Sequence, residues 1–232
     1  EGTLDKVSRW FGRKDPVNIA PIWHVDTALT ERFLKARVAP VVEKKPVNAR
    51  LTLDRRSPKI IPDIPGLGLD LQGSVSQLRL VLCDRSAERA ELPLVPVAAE
   101  VTAEDASGIQ EEIASFETHY SERGNRRKNL QLACSLINGT IIKQGGIFSY
   151  NEVVGPREAD SGFLMAPVIV RGRLKPGMGG GVCQVSSTIY NAALLAGLDV
   201  VSRTHHAFPV HYVPPGRDAT VVYGSIDLKL RN

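Results

Sequence analysis

Three cysteines in 232 residues are too few and too scattered for a disulfide scaffold or a Cys-x-x-Cys zinc site. The odd count fits a reactive thiol left over, and a Cys83–Cys134 bridge stays open. No stretch reaches the ~18 apolar residues of a membrane span. No signal peptide precedes Glu1, where the chain begins abruptly. That is expected of a piece of something longer, with room for a membrane anchor ahead of Glu1. Blocks of like charge are also missing. The 29 basic and 25 acidic residues leave a net +4, enough for weak attraction to an anionic surface such as a bacterial wall. Aromatic residues make up only 6%, and no aromatic-basic pattern of an RNA-binding sheet occurs, so nucleic acid is not indicated as a partner. Repeats and low-complexity tracts are absent too. What remains is a globular composition, 43% hydrophobic and 23% charged, long enough for one large or two ordinary domains.

The stretch that organises the chain is Gly177-Met178-Gly179-Gly180-Gly181-Val182-Cys183-Gln184-Val185-Ser186-Ser187-Thr188. Glycines crowd ahead of a cysteine, and the cysteine stands just before a predicted helix. Val185, Ile189 and Ala192 recur at helical spacing from Gln184 to Ala196, and Gly197 is the stop signal. A thiol at a helix N-terminus feels the positive end of the macrodipole, which favours thiolate and predicts a lowered pKa. Glycines let the backbone come close to a ligand. This is how a cysteine nucleophile is presented; a buried free cysteine in a glycine-rich turn has the same residues.

Candidate bases follow the cysteine helix: His205, His206 and His211. Cysteine on a helix and histidine on a later strand is the order of papain-like and NlpC-type enzymes, where histidine takes the thiol proton and returns it to the leaving group. His205 and His206 point to opposite faces of a regular strand, so at most one faces Cys183. Asp218 is the nearest acid that could orient the histidine, with Asp227 the other. Amides of Cys183 and the glycine loop (Gly180, Gly181) offer an oxyanion hole. Arg217 or Arg203 could hold a substrate carboxylate bidentately. A metal shared by Cys183, His205, His206 and His211 matches no standard zinc spacing, so neither metal nor cofactor is expected.

The first hundred residues read as a small α+β unit without grouped acids, bases or ligands. Asp26 or Thr27 caps a helix with Leu29, Phe33, Leu34 and Val38 apolar, which Pro40 kinks or ends. Strands follow at Val47–Leu53 and Lys59–Ile61 around an Arg55-Arg56-Ser57-Pro58 turn. A helix spans Leu71–Leu82, and an edge strand spans Leu92–Val101. The seam falls at 104–108, where Ser107-x-x-Gln110 resembles a capping box for a helix bearing Ile109, Ile113 and Phe116. A polar loop from Ser121 leads to a helix at about 126–138, with Cys134 on its apolar stripe and so in the core. Val168, Ile169 and Val170 belong to one buried strand, Ala166–Arg173. Asp199–Thr204 and Phe208–Val213 read as strands, and the last strands form a hairpin across Gly224-Ser225.

Several of these motifs together resemble the VanW-like family. They are Phe148-Ser149-Tyr150-Asn151, Val154-Gly155-Pro156-Arg157, Gly179-Gly180-Gly181-Val182-Cys183-Gln184-Val185-Ser186-Ser187-Thr188, His206-x-Phe208-Pro209-Val210, Asp218-Ala219-Thr220 and the tail from Asp227. The match covers roughly residues 110–232. Residues 4–103 resemble, more weakly, the peptidoglycan-binding domain that often precedes VanW domains. The family takes its name from glycopeptide-resistance clusters, and some members are regarded as L,D-transpeptidases that form 3-3 cross-links in peptidoglycan. The resemblance implies Cys183 as nucleophile, His206 as the family histidine, stem peptides as substrate and an extracellular, wall-facing location. With Asp218 these make the candidate catalytic set. Gly180, Gly181, Gln184, Ser186, Arg203, Arg217, Tyr150 and Arg157 are the candidate substrate contacts. The expected architecture is α+β with two domains, 1–103 and 104–232. The second holds a mostly antiparallel sheet against a helix that starts at the motif cysteine. Non-catalytic wall binding and stem-peptide hydrolysis are the competing functions.

Overall fold

The computed structural model describes residues 24–54, 57–83, 89–120, 123–170 and 173–232. The turn read at Arg55-Arg56, the first residues of the Ser121 loop and the side chain of Cys83 lie outside them. Helices and antiparallel pairs give the expected α+β class. The chain divides into two compact units whose segments interleave: Glu1–Lys45 with Leu67–Val97, and Pro46–Gly66 with Ala98–Asn232. A single boundary at 104 does not describe this division, because Pro46–Gly66 belongs to the second unit.

In the first unit Asp26 caps the helix Thr27–Phe33, its carboxylate accepting from the Leu29 amide at 2.9 Å. The helix widens into a π turn, Leu34–Val38, and continues as Ala39–Val42. Pro40 has no N–H to offer, so a slipped register at this point replaces a kink. Leu34, Ala39, Leu69 and Val75 form the core of this unit, while Leu29 and Phe33 of the expected stripe are exposed. Asp70 accepts from the Gly73 amide at the start of the helix Leu71–Cys83, and Gly66–Leu69 shares a two-stranded sheet with Leu94–Val97.

The second unit begins with the hairpin Arg50–Asp54 and Ser57–Ile61, in register from Arg50–Ile61 to Asp54–Ser57. Its first strand is tied to the loop after the helix Asn125–Ile137. The Leu51 amide donates to the Gly139 carbonyl at 2.9 Å, and Arg50 to that of Leu136 at 2.7 Å. The capping box is made by Thr102 and Asp105, and opens one turn, Ala103–Ala106. Residues 109–120 are not helical, contrary to the expectation from Ser107 and Gln110. Long-range bonds from Thr118 and His119 to the cysteine helix replace the local ladder (below).

Ile147–Ser149, Lys229–Arg231 and Asp199–Ser202 form a three-stranded antiparallel sheet with the C-terminal strand central. Met165–Val170 and Arg173–Met178 form a separate antiparallel ribbon. The run read as one buried strand therefore folds back on itself. Ala166 is buried and Ile169 is half exposed, as alternation in a two-stranded ribbon requires. Phe208–Val213 is not a strand, and the Gly224 hairpin is reduced to a Val222–Ile226 bridge. Cys134 is an exposed free thiol rather than core. The core of this unit comprises Leu130 and Ala133 of the Asn125–Ile137 helix, Val182 and Val185 of the cysteine helix, and Phe148, Tyr150, Phe163, Val221, Leu228 and Leu230.

Candidate active site

The cysteine helix runs Val182–Leu195 with Gly181 as its cap, so Cys183 is its second residue. The glycines ahead of it serve packing first. Gly180 sits where a Cβ would stand 2.6 Å from the Pro167 carbonyl oxygen, and Gly181 has φ +111°. Asn129, fully buried, locks the loop. Its amide nitrogen donates to the carbonyls of Leu164 (2.9 Å) and Gly180 (3.1 Å), and its oxygen accepts from the Leu164 amide (2.9 Å). Among the described residues, the Cys183 amide makes no hydrogen bond, as befits the first turn of a helix.

One polar stripe of this helix holds the segment that follows the histidines. The Cys183 thiol donates to the Val221 carbonyl at 3.6 Å. Ser186 Oγ donates to the Ala219 carbonyl at 2.7 Å, and Ser187 Oγ accepts from the Ala219 amide at 2.9 Å. Asn191 donates to the Arg217 carbonyl at 2.7 Å and accepts from Arg217 Nη1 at 3.3 Å. Positions 183, 187 and 191 are one helical face, so the chain from Val221 back to Arg217 lies antiparallel along it. Ser187 and Asn191 escaped the sequence reading, although polar residues four and eight positions after a candidate nucleophile were a readable signal.

Asp218 is thereby fixed, and it is buried. Its Oδ2 accepts from the His206 backbone N–H at 2.5 Å and lies 2.6 Å from His206 Nδ1. Its Oδ1 accepts from Arg203 Nη2 at 3.1 Å, while Arg203 Nε bonds the Asp218 carbonyl at 2.7 Å. Burial pushes this carboxyl up, but the bonds from His206 outweigh it and hold Asp218 below its ordinary value. An ionised carboxylate there makes Nδ1 a protonated ring nitrogen, so that in the neutral ring Nε2 is the one that carries the lone pair. Asp227, the other acid, instead accepts from Ser149 Oγ and the Asn151 amide.

The remaining sequence candidates divide sharply. His205 and His211 are exposed. Among the described residues, no three His, Cys, Asp or Glu side chains gather as a metal site. Arg203 stacks on Tyr190 at 5.2 Å and is spent on Asp218 and the Gly216 carbonyl. Tyr150 is buried with its hydroxyl on the Val182 carbonyl at 3.1 Å. Ser186 is buried and internally bonded. Gln184, also buried, straps residues 118–119 to the helix: its Nε2 donates to Thr118 Oγ1 and the His119 carbonyl, and its Oε1 accepts from Arg126. Arg217 is exposed, and Arg157 lies over the Tyr150 ring.

The lowered thiol pKa expected of Cys183 is not found. Burial pushes it up, and the hydrogen bond with Val221 and the nearby Arg157 only partly offset this. Among the described residues, no hydrogen bond joins Cys183 to His206. The thiol faces Val221, and the histidine faces Asp218.

These features define an α+β protein in which a glycine loop presents a thiol at a helix start, and that helix docks a carboxylate–histidine pair. The chain belongs to the VanW-like family. Residues 125–232 match the family described as VanW like protein. The protein YoaR of Bacillus subtilis (strain 168) is 35% identical over 210 residues, covering 90% of this chain and 68% of its own length. The Vancomycin B-type resistance protein VanW of Enterococcus faecalis (strain ATCC 700802 / V583) is 34% identical over 122 residues, 50% of this chain and 44% of that relative. No solved structure matches the chain.

Proposed function

We propose that this chain is a bacterial cell-wall cysteine acyltransferase, an L,D-transpeptidase that forms 3-3 peptidoglycan cross-links through a thioester on Cys183. The observation that carries the reading is the Asp218–His206 pair, docked through Ala219 and Arg217 onto the helix that bears the thiol. In the first step His206 Nε2 takes the thiol proton and the sulfur attacks the carbonyl of the third stem residue. The tetrahedral oxyanion is met by the unbonded Cys183 amide. The C–N bond breaks, and the departing D-alanine amine takes the proton back from His206. In the second step an amine from a neighbouring stem gives its proton to His206 and attacks the thioester, and the sulfur leaves as thiol. Water in place of that amine gives a hydrolase. Because burial keeps the resting thiol protonated, proton transfer accompanies attack. A preformed thiolate–imidazolium pair has no part in it.

In this reading residues 1–103 bind peptidoglycan and the protein faces the wall from outside the membrane; its net +4 suits an anionic polymer. Among the described residues, no helix is long and apolar enough to cross a membrane.

One observation favours a second reading. The Cys183 thiol is bonded to Val221 and its pKa is raised, as in a structural cysteine. The chain would then bind wall peptides without chemistry, in a role connected with glycopeptide resistance like that named for its Enterococcus relative. Mass spectrometry of disaccharide-tetrapeptide incubated with wild type and with Cys183→Ala separates the two. D-alanine release and a 3-3 dimer from wild type alone support transpeptidation, and shortened monomer alone makes it a hydrolase. Unchanged substrate bound equally by both proteins sinks the catalytic reading.

A further inference from the structure

Arg157 holds a donor with nothing to bond. Its Nη1 donates to the Gly155 carbonyl at 2.9 Å, but Nη2, shielded from solvent, has no hydrogen-bond partner. The guanidinium lies over the rings of Tyr150 and Tyr223, 5.2 and 5.8 Å from their centroids. Its stem packs against the glycine loop, where a Cβ on Gly179 would stand 2.8 Å from Arg157 Cβ. The same neighbours are tied to the residues around the thiol. The Tyr150 hydroxyl bonds the carbonyl of Val182, next to Cys183, and Tyr223 follows closely on Val221, which takes the thiol. Burial pulls Arg157 below the usual arginine range, although Tyr150, Cys183 and the Asp227 carboxylate near it act the other way.

An unsatisfied buried donor on a cation is costlier than a neutral one, and buried polar groups without partners are rare. Two aromatic faces hold the guanidinium plane but leave its second arm unpaired, a donor that one oxygen of a carboxylate satisfies once the surrounding side chains make room for it. Resting on the acyl-transfer reading, we infer that Arg157 Nη2 receives the free α-carboxylate of the residue that departs when Cys183 is acylated. That carboxylate lies only a few covalent bonds from the scissile carbonyl, within reach of a guanidinium beside the thiol. A donor extended by one more residue, or amidated, puts a neutral amide there and leaves the arginine unpaired. Arg157 is thus a specificity-determining residue that selects donors ending one residue beyond the attacked carbonyl.

The test reads binding without turnover. Calorimetric titration of the Cys183→Ala protein uses the tetrapeptide stem ending in D-alanine and, separately, its C-terminal amide. The carboxylate is expected to bind about tenfold tighter, the discrimination of one charged hydrogen bond. Adding Arg157→Lys, which keeps the charge and stem but not the fork, should bring the carboxylate down to the amide and leave the amide unchanged. Equal binding of the two peptides to the protein with Arg157 present, or no binding of either, overturns the inference, and that comparison needs no arginine variant to fold. Discrimination by a protein that never releases D-alanine would retire acyl transfer yet keep the carboxylate site. Equal turnover of both donors by wild type would do the reverse.

Discussion

Asp218 grips His206 at two points with one oxygen, the ring Nδ1 at 2.6 Å and the backbone N–H at 2.5 Å. Both side chains are largely shielded, 9% and 12% exposed. One atom therefore sets the ring's position and its tautomer together. Asp218→Asn keeps the shape but loses the charge that fixes the proton on Nδ1. D-alanine release is expected to fall about 10²-fold or more, on the scale of general acid–base catalysis, with KM little changed. Steady-state kinetics beside circular dichroism checks this; a folded variant with wild-type kcat would remove Asp218 from the mechanism.

The same carboxylate predicts how stability responds to acid. Its folded-state pKa lies below the ordinary Asp value near ~3.9, because His206 bonds the charged form despite burial. Its stabilising contribution is therefore fully present above that ordinary value and lost as pH falls through the lower folded one. Urea midpoints of wild type and Asp218→Asn should differ by their full amount from about pH 5 upward and converge toward pH 2–3. A gap that persists undiminished in acid would mean that Asp218 stays neutral in the folded protein.

Cys183 should rest as a thiol and react only through its small thiolate fraction. Burial raises its pKa, so the thiolate fraction, and with it alkylation by iodoacetamide, should climb about tenfold per pH unit across pH 7–9. Peptide mass spectrometry separates Cys183 from the exposed Cys134. A rate already flat at pH 7 would indicate a preformed thiolate and revive the simple dipole expectation.

The cysteine helix was legible in the sequence because its signals are local: apolar spacing, a glycine cap and a glycine stop. The sign of the thiol's pKa shift was not, because burial is a tertiary property that outweighs the helix end. Asp218 stood out only as the acid nearest in sequence; its bonds with His206 depend on Ser187 and Asn191 docking a distant segment. Decoys misled where two local solutions compete. Ser107 and Gln110 match a capping box as well as Thr102 and Asp105 do, but Ser107 is the C-cap of the Thr102 turn and its hydroxyl is spent on the Glu104 carbonyl. Val168-Ile169-Val170 reads as a buried run, yet it belongs to a two-stranded ribbon with an open face.

Gln184 separates a structural from a substrate-binding motif residue. Its amide is spent on Thr118, His119 and Arg126, so Gln184→Leu removes the bonds that strap residues 118–119 to the helix. Stability should fall by about 1–3 kcal/mol in urea unfolding, while KM for the tetrapeptide stays near wild type in the folded fraction. A raised KM without lost stability would return Gln184 to the substrate site.

Gly180 tests whether the glycine loop exists for ligand approach or for packing. An added Cβ would meet the Pro167 carbonyl oxygen at 2.6 Å and the Ala166 carbonyl carbon at 2.8 Å, both backbone atoms that cannot swing aside. Gly180 also offers its carbonyl to buried Asn129, so a shift of the loop strains that bond as well. Overpacking of this kind costs about 1–3 kcal/mol, and Gly180→Ala should lower the urea midpoint accordingly. Peptide binding should weaken only as far as the loop itself is displaced. Gly108→Ala is the matched control: like Gly180 it has no positive φ, and open space surrounds its Cβ, so it adds a methyl without a clash. If Gly180→Ala is no less stable than wild type but no longer binds stem peptide, the close approach belongs to the ligand, and packing against Met165–Val170 is the secondary role.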